Sequence, residues 1–317
     1  MPTQIEPSSY KDRAAVTMKT SVLSAQIMPS RGSTMTSLRW LPAGIELLRQ
    51  RAGDRFLAGS YGGSFVAAER AGFDEMLPTI DACFCDQEPW QGTPMPDHGE
   101  LWAIPWEYET AGEELVLKVA GVRFPYVLEK RLRFRDDSVL RIDYSLRNLS
   151  PFDLPFLWAA HPDFALHADA ELELPGGVTE LVRLFGTGAV YGESVRWPFH
   201  VEPDGASRDL RQVRASGTAR AAKYYVRGRM PEGWCAVRFP RLGMRVKLSF
   251  PVEKVPYLAI LPNEGGIDGL RELFIEPCTA SYDRPDLARL RGELSVLPAR
   301  GSLTWYLEIA VGPTETH

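Results

Sequence analysis

Lys130-Arg131-Leu132-Arg133-Phe134-Arg135-Asp136-Asp137-Ser138-Val139-Leu140-Arg141-Ile142-Asp143-Tyr144-Ser145-Leu146-Arg147 is the stretch from which the fold can be read. Leu132 and Phe134 alternate with arginines, and Asp136-Asp137-Ser138 supplies turn chemistry. Leu140, Ile142, Tyr144 and Leu146 then resume the period of two, with Arg141, Asp143, Ser145 and Arg147 opposite. A segment of this kind buries one face and wets the other, so it predicts a β-hairpin lying on a packed core.

The same period recurs on both sides of the hairpin: at Leu115 to Val119, at Met244, Val246, Leu248 and Phe250, and at Leu303, Trp305, Leu307 and Ile309. Helical signals are confined to a turn or two at Ile45–Gln50 and at Pro285–Leu290, the latter with Pro285 near its start. There is no strand–helix alternation, no glycine-rich phosphate loop and no internal repeat. The expectation is an all-β protein of antiparallel sheets packed face to face, with few short helices. Residues 1–20 are mostly polar and lack a clear period, which predicts a flexible N-terminal tail or a loosely docked strand. The stretch from about 200 to 222 reads as a long surface loop.

Composition narrows the function classes without naming one. The 317 residues are enough for a substantial core. Lys plus Arg (36) against Asp plus Glu (41) gives a net charge of −5 with both signs dispersed, which recommends no nucleic-acid partner. Gly (27) and Pro (25) make up about a sixth of the chain, punctuation suited to many strands and tight turns. No apolar run is long enough to span a membrane and no secretory leader is evident, so a cytoplasmic protein is expected. Cys83, Cys85, Cys235 and Cys278 are then buried, reduced thiols, and their spacing does not suit zinc.

Three residues stand in settings that favour chemistry. His161 ends the apolar run Pro155-Phe156-Leu157-Trp158-Ala159-Ala160 and precedes Pro162, so burial can tune an imidazole at a forced bend. Glu276 follows Leu273-Phe274-Ile275 and precedes Pro277, a carboxylate at a buried strand end where desolvation raises its pKa. His98 lies in the polar loop Pro96-Asp97-His98-Gly99-Glu100 between aromatic segments. Each also has a plain structural reading as a hydrogen-bonded core or turn residue.

These segments stand in an order that resembles the aldose 1-epimerase (galactose mutarotase) family. His161-Pro162-Asp163-Phe164 is similar to its His-Pro-Tyr-Phe segment, and Phe274-Ile275-Glu276-Pro277 to its Glu-Pro segment. Asp97-His98-Gly99-Glu100-Leu101-Trp102 with Pro105-Trp106-Glu107 resembles its His-Gly-Phe-Ala-Arg and Trp-Glu-Val stretch, and Ala71–Pro78 resembles the Phe-Pro segment of its relatives. The resemblance implies a β-supersandwich with a sugar in an open cleft, Glu276 as general base, His161 as acid and His98 as a sugar-positioning group. Because these residues run from 98 to 276, it also implies one sandwich domain over 21–317 as a monomer or homodimer. Glu75, Glu100, Trp102 and Lys223 join as candidate sugar-binding residues, Trp102 as the aromatic platform. No metal or organic cofactor is implied, and the partner is a small-molecule sugar.

Departures limit the specificity. Thr79-Ile80-Asp81-Ala82 stands where better-known members have an Arg-containing pair, and Lys223-Tyr224-Tyr225 carries no Asp where galactose mutarotases place one. Two alternatives use the same scaffold: a non-catalytic sugar-binding protein, and a sugar-phosphate mutarotase in which Arg183, Arg196, Arg227 or Lys223 converge beside the cleft.

Overall fold

The computed structural model describes residues 3–186, 190–202 and 205–314; Met1-Pro2 and His317 lie outside them. The deciding hairpin forms as read. Tyr126–Asp136 pairs antiparallel with Val139–Asn148, Leu132 opposite Ile142 and Phe134 opposite Leu140, with a bulge between Phe134 and Asp136. Leu128, Leu132, Leu140, Ile142, Tyr144 and Leu146 are buried, whereas Arg131, Arg133 and Arg135 are exposed. Lys130 breaks the pattern, for it shares the buried face.

The hairpin belongs to a nine-stranded sheet in which Val139–Asn148 also pairs with Ser302–Pro313, and Ser302–Pro313 with Met244–Ser249. A twelve-stranded sheet packs across it, and every recorded strand pairing among the described residues is antiparallel. Its centre runs Phe73–Met76, Ala159–Ala165, Arg271–Cys278, Tyr257–Glu264, Ala222–Val226. Nearly every residue of these five strands is buried, because both faces of the sheet are covered.

The period of two sorts these strands into two chemistries. Phe73, Ala160, Phe164, Leu273, Ile275, Leu258, Ile260, Tyr224 and Val226 join the main core between the sheets. The alternate residues face the other way, where Met76, Ala159, Tyr225, Tyr257, Ala259 and Cys278 belong to a second, smaller core. His161, Glu276 and Lys223 lie in that second set by their spacing along the strands. Strand parity thus decides which residues reach the cleft.

Three expectations change here. Gln4–Tyr10 and Arg13–Lys19, inside the stretch read as a tail, pair as a hairpin at one edge of the larger sheet and extend it through Leu23–Met28. Their outward residues are polar, as suits an edge, while Val16 and Met18 reach the core. Ile45–Gln50 is no helix: a 3-10 turn at Leu41–Ala43, ended by Gly44, leads into a bridge strand Ile45–Glu46. Within the expected surface loop, Phe199–Val201 pairs with Ser207–Asp209 and the strand Ala222–Val226 follows. Pro285–Leu290 is the expected short helix. All four cysteines are free and buried. No helix among the described residues is long and apolar enough to cross a membrane.

Candidate active site

Two prolines shape the centre of the site. The register that pairs Ala159 with Cys278 and Asp163 with Phe274 puts His161 directly opposite Glu276. Pro162 and Pro277, which have no N–H to donate, lie in the interval between those pairs, where no bridge is recorded. The side chains fill the gap, His161 Nε2 standing 3.9 Å from Glu276 Oε1. Acid and base candidates are therefore cross-strand neighbours.

The cleft above them holds about 420 Å³. His98 and His161 line it with Lys223, Phe65 and Phe274, while Glu276 is wholly buried beneath. His98 meets His161 edge to face at 5.4 Å and stacks on Phe65 at 4.1 Å with the rings 10° from parallel. Phe274 packs against His161 at 4.5 Å. His98 Nδ1 bonds Asp97 Oδ1 at 2.8 Å, and Asp97 Oδ2 accepts the Phe65 N–H at 3.0 Å. Burial works against the Asp97 charge, but the His98 ring and that amide outweigh it and keep its pKa low. Asp97 thereby fixes the ring and leaves Nε2 for a ligand.

The loop pays in backbone strain for this aim. His98 has φ 59° and Gly99 φ 75°, two consecutive left-handed residues. A Cβ on Gly99 would stand 2.3 Å from the Leu77 carbonyl oxygen, which already accepts the Glu100 N–H at 2.7 Å. Gly99→Ala is expected to cost about 1–3 kcal/mol and to swing His98 off the cleft, read as a lower melting temperature with weakened ligand binding.

Electrostatics separate the two candidates. Burial, reinforced by His98, Lys223 and Arg70, pushes the His161 pKa well below the ordinary imidazole value. Burial raises the Glu276 pKa, Lys223 opposing it and Asp283 adding to it. Lys223 Nζ lies 3.1 Å from Glu276 Oε2 and 2.9 Å from Asp283 Oδ1. Desolvation disfavours its ammonium, but the two carboxylates prevail and its pKa rises.

Of the sequence candidates, His98, His161, Glu276 and Lys223 converge; Glu75, Glu100 and Trp102 do not reach the cleft. Glu75 points into the inter-sheet core, where Lys130 Nζ approaches at 2.8 Å and the Tyr144 hydroxyl donates at 2.8 Å. Its neighbours on the strand set this direction, since Asp74 and Met76 take the other face. Glu100 is fully buried and accepts from the Tyr61 and Tyr126 hydroxyls and the Val122 and Arg123 amides, a structural hub. Trp102 is buried behind Phe65, edge-on at 5.2 Å, its Nε1 donating to the Asp97 carbonyl. Phe65 is the aromatic wall instead, and a lone Phe after Gly62-Gly63-Ser64 was the available signal. Asp283 also escaped the sequence reading, for Tyr282-Asp283-Arg284-Pro285 reads as an ordinary helix start. Of the cations required for a phosphate, only Lys223 lines the cleft. Arg183 is paired with Glu193 and Glu202, and Arg227 with Glu180. Among the described residues, no group of three or more His, Cys, Asp or Glu side chains is placed to hold a metal ion.

At the level of sequence, no family profile and no curated protein matches the chain. Solved structures do match its fold. A galactose mutarotase-like protein from Clostridium acetobutylicum superposes with a TM-score of 0.71 at 14% identity, over 98% of this chain and 99% of that one. A galactose mutarotase related enzyme from Lactobacillus acidophilus gives 0.65 at 11% identity, over 96% and 99%. A protein from Synechocystis sp. PCC 6803 gives 0.67 at 16% identity, over 99% and 97%. The fold is that of the galactose mutarotase-like proteins, an all-β antiparallel sandwich.

Proposed function

We propose that the chain is an aldose 1-epimerase-like isomerase that interconverts the α and β anomers of a free sugar. The observation that carries this reading is the placement of His161 opposite Glu276 at the floor of one cleft, with His98 on its wall. Glu276 takes the proton from the anomeric hydroxyl as the C1–O5 bond breaks, its electrons passing to O5. His161 gives O5 a proton, so an open-chain aldehyde results with no net change in protons. After rotation about C1–C2, O5 attacks the other face of the carbonyl. It returns its proton to His161, and Glu276 returns one to O1. Phe65 and Phe274 offer flat apolar surface to the CH groups of the ring. His98 Nε2 takes a hydroxyl.

The deciding experiment is polarimetry on freshly dissolved α-aldoses. Acceleration over the spontaneous rate supports the reading; an unchanged decay with measurable sugar affinity would make the chain a non-catalytic binder.

The pKa directions fix the pH profile. Glu276 must be ionised to act as base, and its raised pKa means that activity falls at a higher pH than for a carboxyl near about 4.3. His161 must be protonated to act as acid, and its lowered pKa means that this form is lost below about pH 6.5. The expected kcat/KM profile is a narrow bell on the acid side of neutrality. A rate still rising above about pH 7 removes His161 from the proton-donor role.

A further inference from the structure

Glu276 has an unusual set of neighbours. It is completely buried, and neither carboxylate oxygen accepts a hydrogen bond. The titratable groups around it are Lys223, His161, Asp283, His98, Tyr225 and Cys278. Lys223 is the closest cation, an ion pair at 3.1 Å from Oε2. A carboxylate with no donors and no cation would hold its proton through neutrality and serve as no base.

Lys223 is in turn held from the far side. Asp283 Oδ1 stands 2.9 Å from its Nζ and accepts the Tyr225 hydroxyl at 2.7 Å. The Asp283 carbonyl accepts the Ile80 and Asp81 amides at 3.0 Å each, and its own N–H donates to the Tyr225 oxygen. Tyr282 and Asp283 both adopt left-handed backbone, φ 65° and 63°, so the carboxylate is delivered by a fixed turn. The Lys223 side chain, 5% exposed, has no route to solvent that keeps both contacts.

We infer that Lys223 is a positioning residue of the acid–base pair, holding Glu276 in the ionised form it needs as base, with Asp283 and Tyr225 fixing Lys223. This rests on the reading of Glu276 as the base. It assigns Lys223 a role on the enzyme's own carboxylate, in place of the sugar contact the sequence suggested.

The test is a set of pH profiles and a stability cycle. In Lys223→Met the acid limb of kcat/KM should move up by at least one pH unit, with a loss of tenfold or more at the wild-type limb. Lys223→Arg should restore the limb, and Asp283→Asn should move it partway. A merely structural lysine would lower kcat or melting temperature without moving the limb. Independently of activity, Lys223→Met should lose melting temperature progressively as pH rises from 5 to 8, because the stranded carboxylate ionises. The double variant Lys223→Met/Glu276→Gln should recover it. If Lys223→Met does not fold, the Asp283→Asn and Lys223→Arg profiles carry the test. An unmoved limb in an active enzyme, or a pH-independent loss that the double variant does not recover, overturns the inference and leaves the isomerase reading intact. A wild type inactive on every aldose, with the stability cycle as expected, overturns the isomerase reading and leaves the coupling of Lys223 to Glu276.

Discussion

Glu276→Gln is expected to slow mutarotation by about 10²- to 10⁴-fold, the usual contribution of a positioned general base. Gln matches Glu in size and shape, so the cleft should survive and sugar affinity should change far less than kcat. The site makes the substitution mild structurally. Neither Glu276 oxygen is engaged in a hydrogen bond, so no network is broken, and the principal loss is the ion pair to Lys223. That pair leaves Lys223 still bonded to Asp283. Stopped-flow or low-temperature polarimetry on one α-aldose, with calorimetry on the same protein, separates the two effects. A variant with wild-type rate would mean that Glu276 takes no part in the chemistry.

Lys130→Met is expected to destabilise the fold by about 3–5 kcal/mol, the cost of stranding one charge of a buried pair. Lys130 Nζ bonds Glu75 and the Ser33 carbonyl and sits 5.1 Å over the Trp106 ring. It is the cation of the hairpin that faces inward, reaching from the smaller sheet to the larger. The midpoint of guanidinium unfolding should fall. Glu75→Gln should lower stability for a related reason while leaving KM for the sugar in place, because Glu75 lies on the other face of the sheet from the cleft. A KM effect without a stability effect would return Glu75 to the sugar site.

Glu75 also shows why part of the site was legible in the sequence and part was not. The antiparallel sandwich followed from alternation, and Leu132, Phe134, Leu140 and Ile142 pair as their spacing predicts. His161 and Glu276 were visible because each is a titratable residue against an apolar run, with a proline beside it. In the central strands, however, both faces are apolar, so alternation disappears and parity is lost to inspection. Met76 and Phe73 look alike in sequence yet belong to different cores. Glu75, between them, was assigned to the wrong side for that reason. Trp102 and Phe65 exchanged roles because which of two packed rings meets solvent depends on the path of a glycine-rich loop. The edge hairpin at Gln4–Lys19 was hidden by its polar outward residues.

The strand Ala159–Ala165 has one neighbour far upstream, Phe73–Met76, and another far downstream, Arg271–Cys278. Contacts of such separation close only after a large loss of chain entropy, and topologies rich in them fold slowly. The pair of His161 and Glu276 is one of these contacts. A partly formed sandwich can have either sheet edge, the Tyr126–Asn148 hairpin and much of its secondary structure, yet no proton donor facing an acceptor. Catalytic competence in this fold is thus an all-or-none property that arrives with the last distant strand, and intermediates are silent towards sugar.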